Sequence, residues 1–79
     1  MTEAEIYSIL AEIFDDVFLR EVSLRPDLSA KDVDGWDSFK QIDIVMAVEE
    51  RFGFKAATKD LDALQTVGDL VRLIVTKTA

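Results

Sequence analysis

Apolar residues recur at Ile6, Ile9, Leu10, Ile13, Phe14, Val17 and Phe18, a three-and-four spacing that lays one apolar stripe along a helix. Thr2 and Glu5 stand in front of the stripe as a T-x-x-E capping box, so the pattern predicts a helix over roughly residues 3 to 18. Glu5, Glu12, Asp15 and Asp16 take its polar face. From Leu19 to Asp37 the periodicity disappears. Pro26 biases Arg25 towards extended backbone, and Asp27, Ser29, Asp32, Asp34 and Gly35 are turn formers. Leu24, Leu28, Val33 and Trp36 are irregularly spaced, as anchors that pin a loop onto a core would be. Two uses fit such a loop: a functional segment, or a plain crossover between nearly parallel helices.

The helical period resumes near Ser38. Phe39, Ile42, Val45, Met46, Val48 and Phe52 form a broad apolar stripe with Ile44 at its margin, while Asp43, Glu49 and Glu50 lie away from its centre. Asp37 suits the N-cap, and Gly53 suits the C′ position, with Phe54 folding back on the last turn. Thr58 is expected to cap a short helical turn through Leu61 to Leu64. Thr66 and Asp69 resemble another capping box, ahead of Val67, Leu70, Val71, Ile74 and Val75. No tight Asn-Gly or Asp-Gly turn separates alternating strands, since Asp34-Gly35 falls inside the loop. The pattern predicts an all-α bundle: three main helices, a short one third in order, and a long loop between the first two.

Composition narrows what such a bundle can do. The chain has 79 residues, 49% hydrophobic and 32% charged, which predicts one small globular domain over residues 1–79. A domain of this size buries only ~60% of the surface its unfolded chain exposes, too little for a large enclosed active site. The 16 acidic and 9 basic residues leave a net charge of −7, the wrong sign for a phosphate-backbone binder, so no nucleic-acid partner is expected. Basic docking surfaces are the better match. There is no Cys and no His, hence no thiol nucleophile, no disulfide and no imidazole base or metal ligand. Autonomous catalysis is not expected; a binding, carrying or docking role is. The acidic N-terminus and the lack of an apolar run near ~20 residues argue against a secretory leader and a membrane span. The expectation is a cytoplasmic monomer.

Unusual residues concentrate in Asp32-Val33-Asp34-Gly35-Trp36-Asp37-Ser38-Phe39. A calcium loop is one reading. With Gly35 at the sixth EF-hand position, however, the first falls on Ala30 and the twelfth on Gln41, so both ends fail and no metal is expected. The other reading centres on Ser38, a hydroxyl at a helix mouth after a Gly-containing turn. A phosphate there would meet free backbone N–H groups and the positive end of the helix dipole. Asp37 alone is a poor base for a hydroxyl, so another protein would have to catalyse any reaction at Ser38. A simple N-cap serine is the competing role.

Asp37-Ser38-Phe39, followed by Ile42-Asp43-Ile44-Val45-Met46-Ala47-Val48-Glu49-Glu50-Arg51-Phe52-Gly53, resembles the acyl carrier protein pattern. That family opens its second helix with Asp-Ser-Leu and places an acid five positions after the Ser, here Asp43. The likeness extends to the acidic first helix, the long loop, the short third helix and the Thr66-Val67-Gly68-Asp69-Leu70 start of the last. The resemblance implies an acyl-carrier four-helix fold. It further implies 4′-phosphopantetheine attached to Ser38 by a phosphopantetheinyl transferase that uses coenzyme A and magnesium, and acyl groups held as thioesters on its thiol. Asp37, Phe39, Asp43, Glu49 and Glu50 would dock partners with basic surfaces: a loading ligase, condensing enzymes and acyltransferases of fatty-acid, polyketide or specialised lipid and polysaccharide synthesis. Ile42, Val45, Met46, Leu61, Leu64 and Val67 would line a cavity for the acyl chain, or serve as ordinary core.

Some positions depart from the fatty-synthesis form. Lys40 stands where an acid is common, and Trp36 precedes Asp37-Ser38, a Gly-Trp-Asp-Ser form that looks more like specialised carriers. Charge is uneven: residues 1–26 carry −4, residues 27–50 carry −5 and residues 51–79 carry +2. Two alternatives stay open at this point: an aminoacyl or peptidyl carrier loaded by an adenylating enzyme, and an unmodified acidic helical interaction module.

Overall fold

The computed structural model describes residues 2–78, and its order is α1 (Glu3–Phe18), a 3-10 turn (Ala30–Asp32), α2 (Ser38–Phe52), α3 (Thr58–Asp62) and α4 (Val67–Thr78). Among the described residues there is no strand, only an isolated bridge between Ser29 and Thr66. The capping box forms at α1: Glu5 N–H donates to Thr2 Oγ1 at 3.2 Å and Thr2 N–H to Glu5 Oε1 at 3.0 Å. The second forms at α4, with Asp69 N–H on Thr66 Oγ1 and Thr66 N–H on Asp69 Oδ2, both 3.2 Å. Gly53 ends α2 in the left-handed region (φ 74°) and donates its N–H to Glu49 O. At α3 the expectation is corrected: Ala57, not Thr58, is the cap residue, and the helix stops at Asp62. Asp60 makes this possible by reaching back to accept the Ala57 N–H at 3.0 Å, so no side chain is needed on the cap residue itself.

α1 packs against α2 and α4. Its buried residues Ile6, Leu10, Ile13 and Phe14 meet Ile44 and Val48 of α2 and Val67, Leu70, Val71 and Ile74 of α4. Three loop residues join them: the expected anchors Leu28 and Val33, and Val22, which the spacing did not single out. Val22 is held because its N–H donates to Asp15 Oδ1 at 3.1 Å, hooking the loop onto α1. α3 buries none of its residues and is held by polar ties, among them Lys77 to Asp60 at 3.6 Å.

The stripe read for α2 is also corrected. Ile44, Val45 and Val48 are buried, whereas Phe39, Ile42 and Met46 stay exposed at 78%, 54% and 62%. At about 100° per residue, positions 41, 44, 45, 48 and 52 share one side of a helix, 39 and 46 lie roughly opposite, and 42 falls between the two. α2 therefore has two apolar faces. The polar Gln41 at the head of the inner one hid it.

The long loop completes α4. Val67 and Gly68, in its first turn, donate their N–H groups to the carbonyls of Leu28 and Pro26, both at 2.9 Å. Gly68 permits the approach, because a Cβ there would lie 2.9 Å from Pro26 O. Ala would gain about 1 kcal/mol in helix propensity and lose about 1–3 kcal/mol by overpacking against a pinned backbone carbonyl. Gly68→Ala is therefore expected to destabilise the fold by up to about 2 kcal/mol in urea titration. An increase in stability would mean the loop yields freely.

The caps also set the acid response. Backbone N–H donors hold three carboxylates below the ordinary aspartate value of 3.8: Ser29 for Asp32, Ala57 for Asp60, and Gln65 for Asp69, with Arg72 assisting. A carboxyl depressed in the folded state adds stability that is complete above its unfolded pKa and is lost as pH falls through the folded one. The melting temperature should hold steady down to about pH 5 and drop below about pH 4. Asp69→Ala should melt lower at pH 7 and lose less on acidification; an unchanged acid slope would remove Asp69 from this account.

Candidate functional site

The segment from Val33 to Gln41 is placed by contacts on both sides of Ser38. Val33 is buried, and Gly35 takes a left-handed conformation (φ 86°) that turns the chain, with Trp36 N–H donating to Val33 O at 3.2 Å. Trp36 then stacks edge-on against Phe14 at 5.4 Å and Phe18 at 6.1 Å between ring centroids. Its indole N–H donates to Gln41 Oε1 at 2.8 Å. The expected loop anchor is thus also a brace between the loop and the first turn of α2.

Asp37 caps α2. Its backbone is extended, its carboxylate accepts the Lys40 N–H at 2.9 Å and its carbonyl accepts the Gln41 N–H at 2.9 Å. Ser38 is consequently the first helical residue, and the N-cap role for it is corrected. Its side chain is exposed, and among the described residues its hydroxyl has no hydrogen-bond partner. Nor do the N–H groups of Ser38 and Phe39 donate to any carbonyl among those residues.

Lys40 has a structural use. Its Nζ donates to Val17 O at 3.1 Å, in the last turn of α1, which carries no basic residue of its own. A cation from α2 thereby satisfies an orphan carbonyl and the negative end of the α1 dipole. The signal in the sequence was the last turn of α1, which holds Asp15 and Asp16 and no basic residue.

A cavity of about 480 Å³ opens beside Ser38, between α2, α3 and the start of α4. Ile42, Val45, Leu61 and Leu64, four of the expected lining residues, border it together with Trp36, Gln41 and Leu70. The other two do not. Met46 lies on the outer face of α2, and Val67 is fully buried in the core, drawn there by its bond to Leu28 O.

The expected docking residues separate in the same way. Phe39, Asp43 and Glu50 are exposed on α2 and have no ion-pair partner among the described residues. Asp37 is exposed but engaged as a cap. Glu49 is half-buried and accepts the Ala56 N–H at 2.7 Å, so it secures the chain after α2. In the loop, Asp32 is occupied too: it accepts from Ser29 N–H and Oγ and lies 3.8 Å from Arg25. No group of three or more acidic residues among the described residues is arranged to hold a metal ion.

Comparison with known proteins places this geometry in context. The family described as phosphopantetheine attachment site matches residues 6–74. The chain is 38% identical over 74 residues to the meromycolate extension acyl carrier protein of Mycolicibacterium smegmatis, covering 92% of this chain and 75% of that one. For the protein of the same name from Mycobacterium leprae the identity is 36%, covering 94% of this chain and 65% of the relative's length. The acyl carrier protein of Acidothermus cellulolyticus is 33% identical over 79 residues, covering 99% and 94%. Among solved structures, the holo acyl carrier protein from Geobacter metallireducens superimposes with a TM-score of 0.83 at 34% identity, covering 89% of this chain and 82% of that chain.

Proposed function

The chain belongs to the phosphopantetheine-attachment family of acyl carrier proteins, and we propose that Ser38 is the residue that takes its 4′-phosphopantetheine. The family is one of carriers rather than catalysts, holding acyl groups of lipid biosynthesis on a covalent arm. That arm supplies the thiol that a chain without Cys lacks. The observation that carries the assignment to Ser38 is its exposed, unpartnered hydroxyl on the first turn of α2, at the edge of the cavity. The unengaged N–H groups of Ser38 and Phe39 suit a phosphodiester oxygen there, at the positive end of the helix dipole.

Residues 1–79 act as one carrier domain. Ile42, Val45, Leu61 and Leu64 form the apolar wall along which an acyl chain lies. An apolar wall of this kind, and the similarity to carriers named for acyl and meromycolate extension, favour an acyl over an aminoacyl cargo. Partners are a phosphopantetheinyl transferase and the biosynthetic enzymes that load and use the cargo. They dock on the outer face of α2, where exposed Phe39, Ile42 and Met46 are flanked by Asp43 and Glu50. No described helix is long and apolar enough to cross a membrane.

Intact mass tests the reading. After incubation with coenzyme A, magnesium and a broad-specificity transferase, the chain should gain one phosphopantetheine; an unchanged mass with several transferases would sink it. Replacing Asp43 and Glu50 together by Lys should slow that modification several-fold at low salt and leave the melting curve unmoved, since exposed charges act mainly on encounter. The difference from the unaltered chain should shrink as salt rises. Equal rates at low salt would remove these two acids from the docking face.

A further inference from the structure

The cavity beside Ser38 is not uniformly apolar, and among its polar lining residues Gln41 has a fixed amide orientation. Gln41 borders it, half-buried, one helical turn beyond Ser38. An indole N–H can only donate, so the 2.8 Å bond from Trp36 Nε1 commits the oxygen of the Gln41 amide. The amide NH2 is therefore the end left over, and among the described residues it donates to nothing. Trp36 is itself fixed edge-on to Phe14 and Phe18, so the amide cannot turn over without breaking a bond to a braced ring.

From this we infer that Gln41 is a specificity-determining residue that favours acyl chains bearing an accepting oxygen over fully saturated ones. The inference rests on the reading of Ser38 as the attachment residue. A saturated chain lying in the cavity takes water from the Gln41 NH2 and returns no partner, leaving a buried donor unsatisfied. A chain with a carbonyl oxygen replaces that water by a direct hydrogen bond. Binding sites discriminate strongly on such grounds, because the penalty falls on the unpaired group of the site.

The test loads octanoyl-, 3-oxooctanoyl- and 3-hydroxyoctanoyl-phosphopantetheine from the matching coenzyme A thioesters, with intact mass confirming each product. Free cysteamine then displaces each acyl group, and each rate is divided by that of the same acyl pantetheine in solution to remove intrinsic reactivity. In the unaltered protein the 3-oxo chain should be protected about two- to tenfold better than the octanoyl chain. Loading the 3-oxo chain should also shift the side-chain amide protons of Gln41 in the NMR spectrum, more than the octanoyl chain does. Gln41→Glu keeps an oxygen for Trp36 but replaces the donor by a second acceptor. It should abolish the preference for the 3-oxo chain and favour the 3-hydroxy chain, which can donate. Equal protection of octanoyl and 3-oxooctanoyl chains on a fully loaded protein, or a preference that survives in Gln41→Glu, overturns the role of Gln41 and leaves Ser38 untouched. Failure to load at all overturns both.

Discussion

Ser38→Ala should gain no mass at all under conditions that convert the unaltered chain completely, and it should melt at the same temperature. Both halves follow from where the hydroxyl sits. It is exposed and has no hydrogen-bond partner among the described residues, so removing it leaves nothing unsatisfied. The cap belongs to Asp37, whose bond to the Lys40 N–H does not involve Ser38, and Ala is the best helix former at an exposed helical position. Loss of modification can then be assigned to chemistry and not to unfolding. The remaining serines offer no substitute. Ser29 Oγ is tied to Asp32 at 3.2 Å, Ser8 lies inside α1, and Ser23 lies in the loop away from any α-helix start. A Ser38→Ala protein that still gained one phosphopantetheine would mean the attachment residue is elsewhere.

The second large effect is structural. Phe14→Ala should cost about 3–5 kcal/mol, as full truncation of a buried aromatic ring does. A domain of this length has only about 4–12 kcal/mol in total, so much of the population should be unfolded or close to it at 37 °C. Phe14 has no exposed surface, and its ring meets both Phe18 and Trp36. Urea titration followed by circular dichroism measures the loss, and Trp36 fluorescence should move to the red before the helices melt. Phe14→Leu, which fills most of the space, should cost far less. A loss below about 1 kcal/mol for the Ala variant would mean that Trp36 and Phe18 close the gap themselves.

The three main helices were legible because each carries its own start signal and period: Thr2 and Glu5, Asp37, and Thr66 with Asp69. For Ser38, position alone favoured a simple N-cap serine, and it was the resemblance of Asp37-Ser38-Phe39 to the family motif that singled it out. What stayed hidden was mostly orientation. α2 has two apolar stripes, and spacing alone does not say which meets α1; Gln41 heads the buried one and made it look polar. Pairings between distant residues were hidden as well. Lys40 looked like a departure in charge, but its partner is the Val17 carbonyl 23 positions away, a group that every residue type carries and no composition reveals. Glu49 looked like its neighbour Glu50 until the backbone after Gly53 turned Ala56 towards it. Of the +2 charge after residue 50, one unit is matched inside the molecule, where Arg51 pairs with Glu12 of α1.

The two loop carbonyls that accept from the start of α4 also order events in time. Pro26 and Leu28 are made some forty residues before Gly68 and Val67, and until those arrive their carbonyls have only water to bond. A chain emerging from the ribosome can form α1 and α2 early, from local contacts. The Pro26–Leu28 stretch of the loop settles only when the last helix comes in, and that helix in turn lacks its first two acceptors without it. Closure of the Pro26–Leu28 stretch is thus a late and concerted step, and a chain cut short before residue 67 should leave that stretch open to proteases.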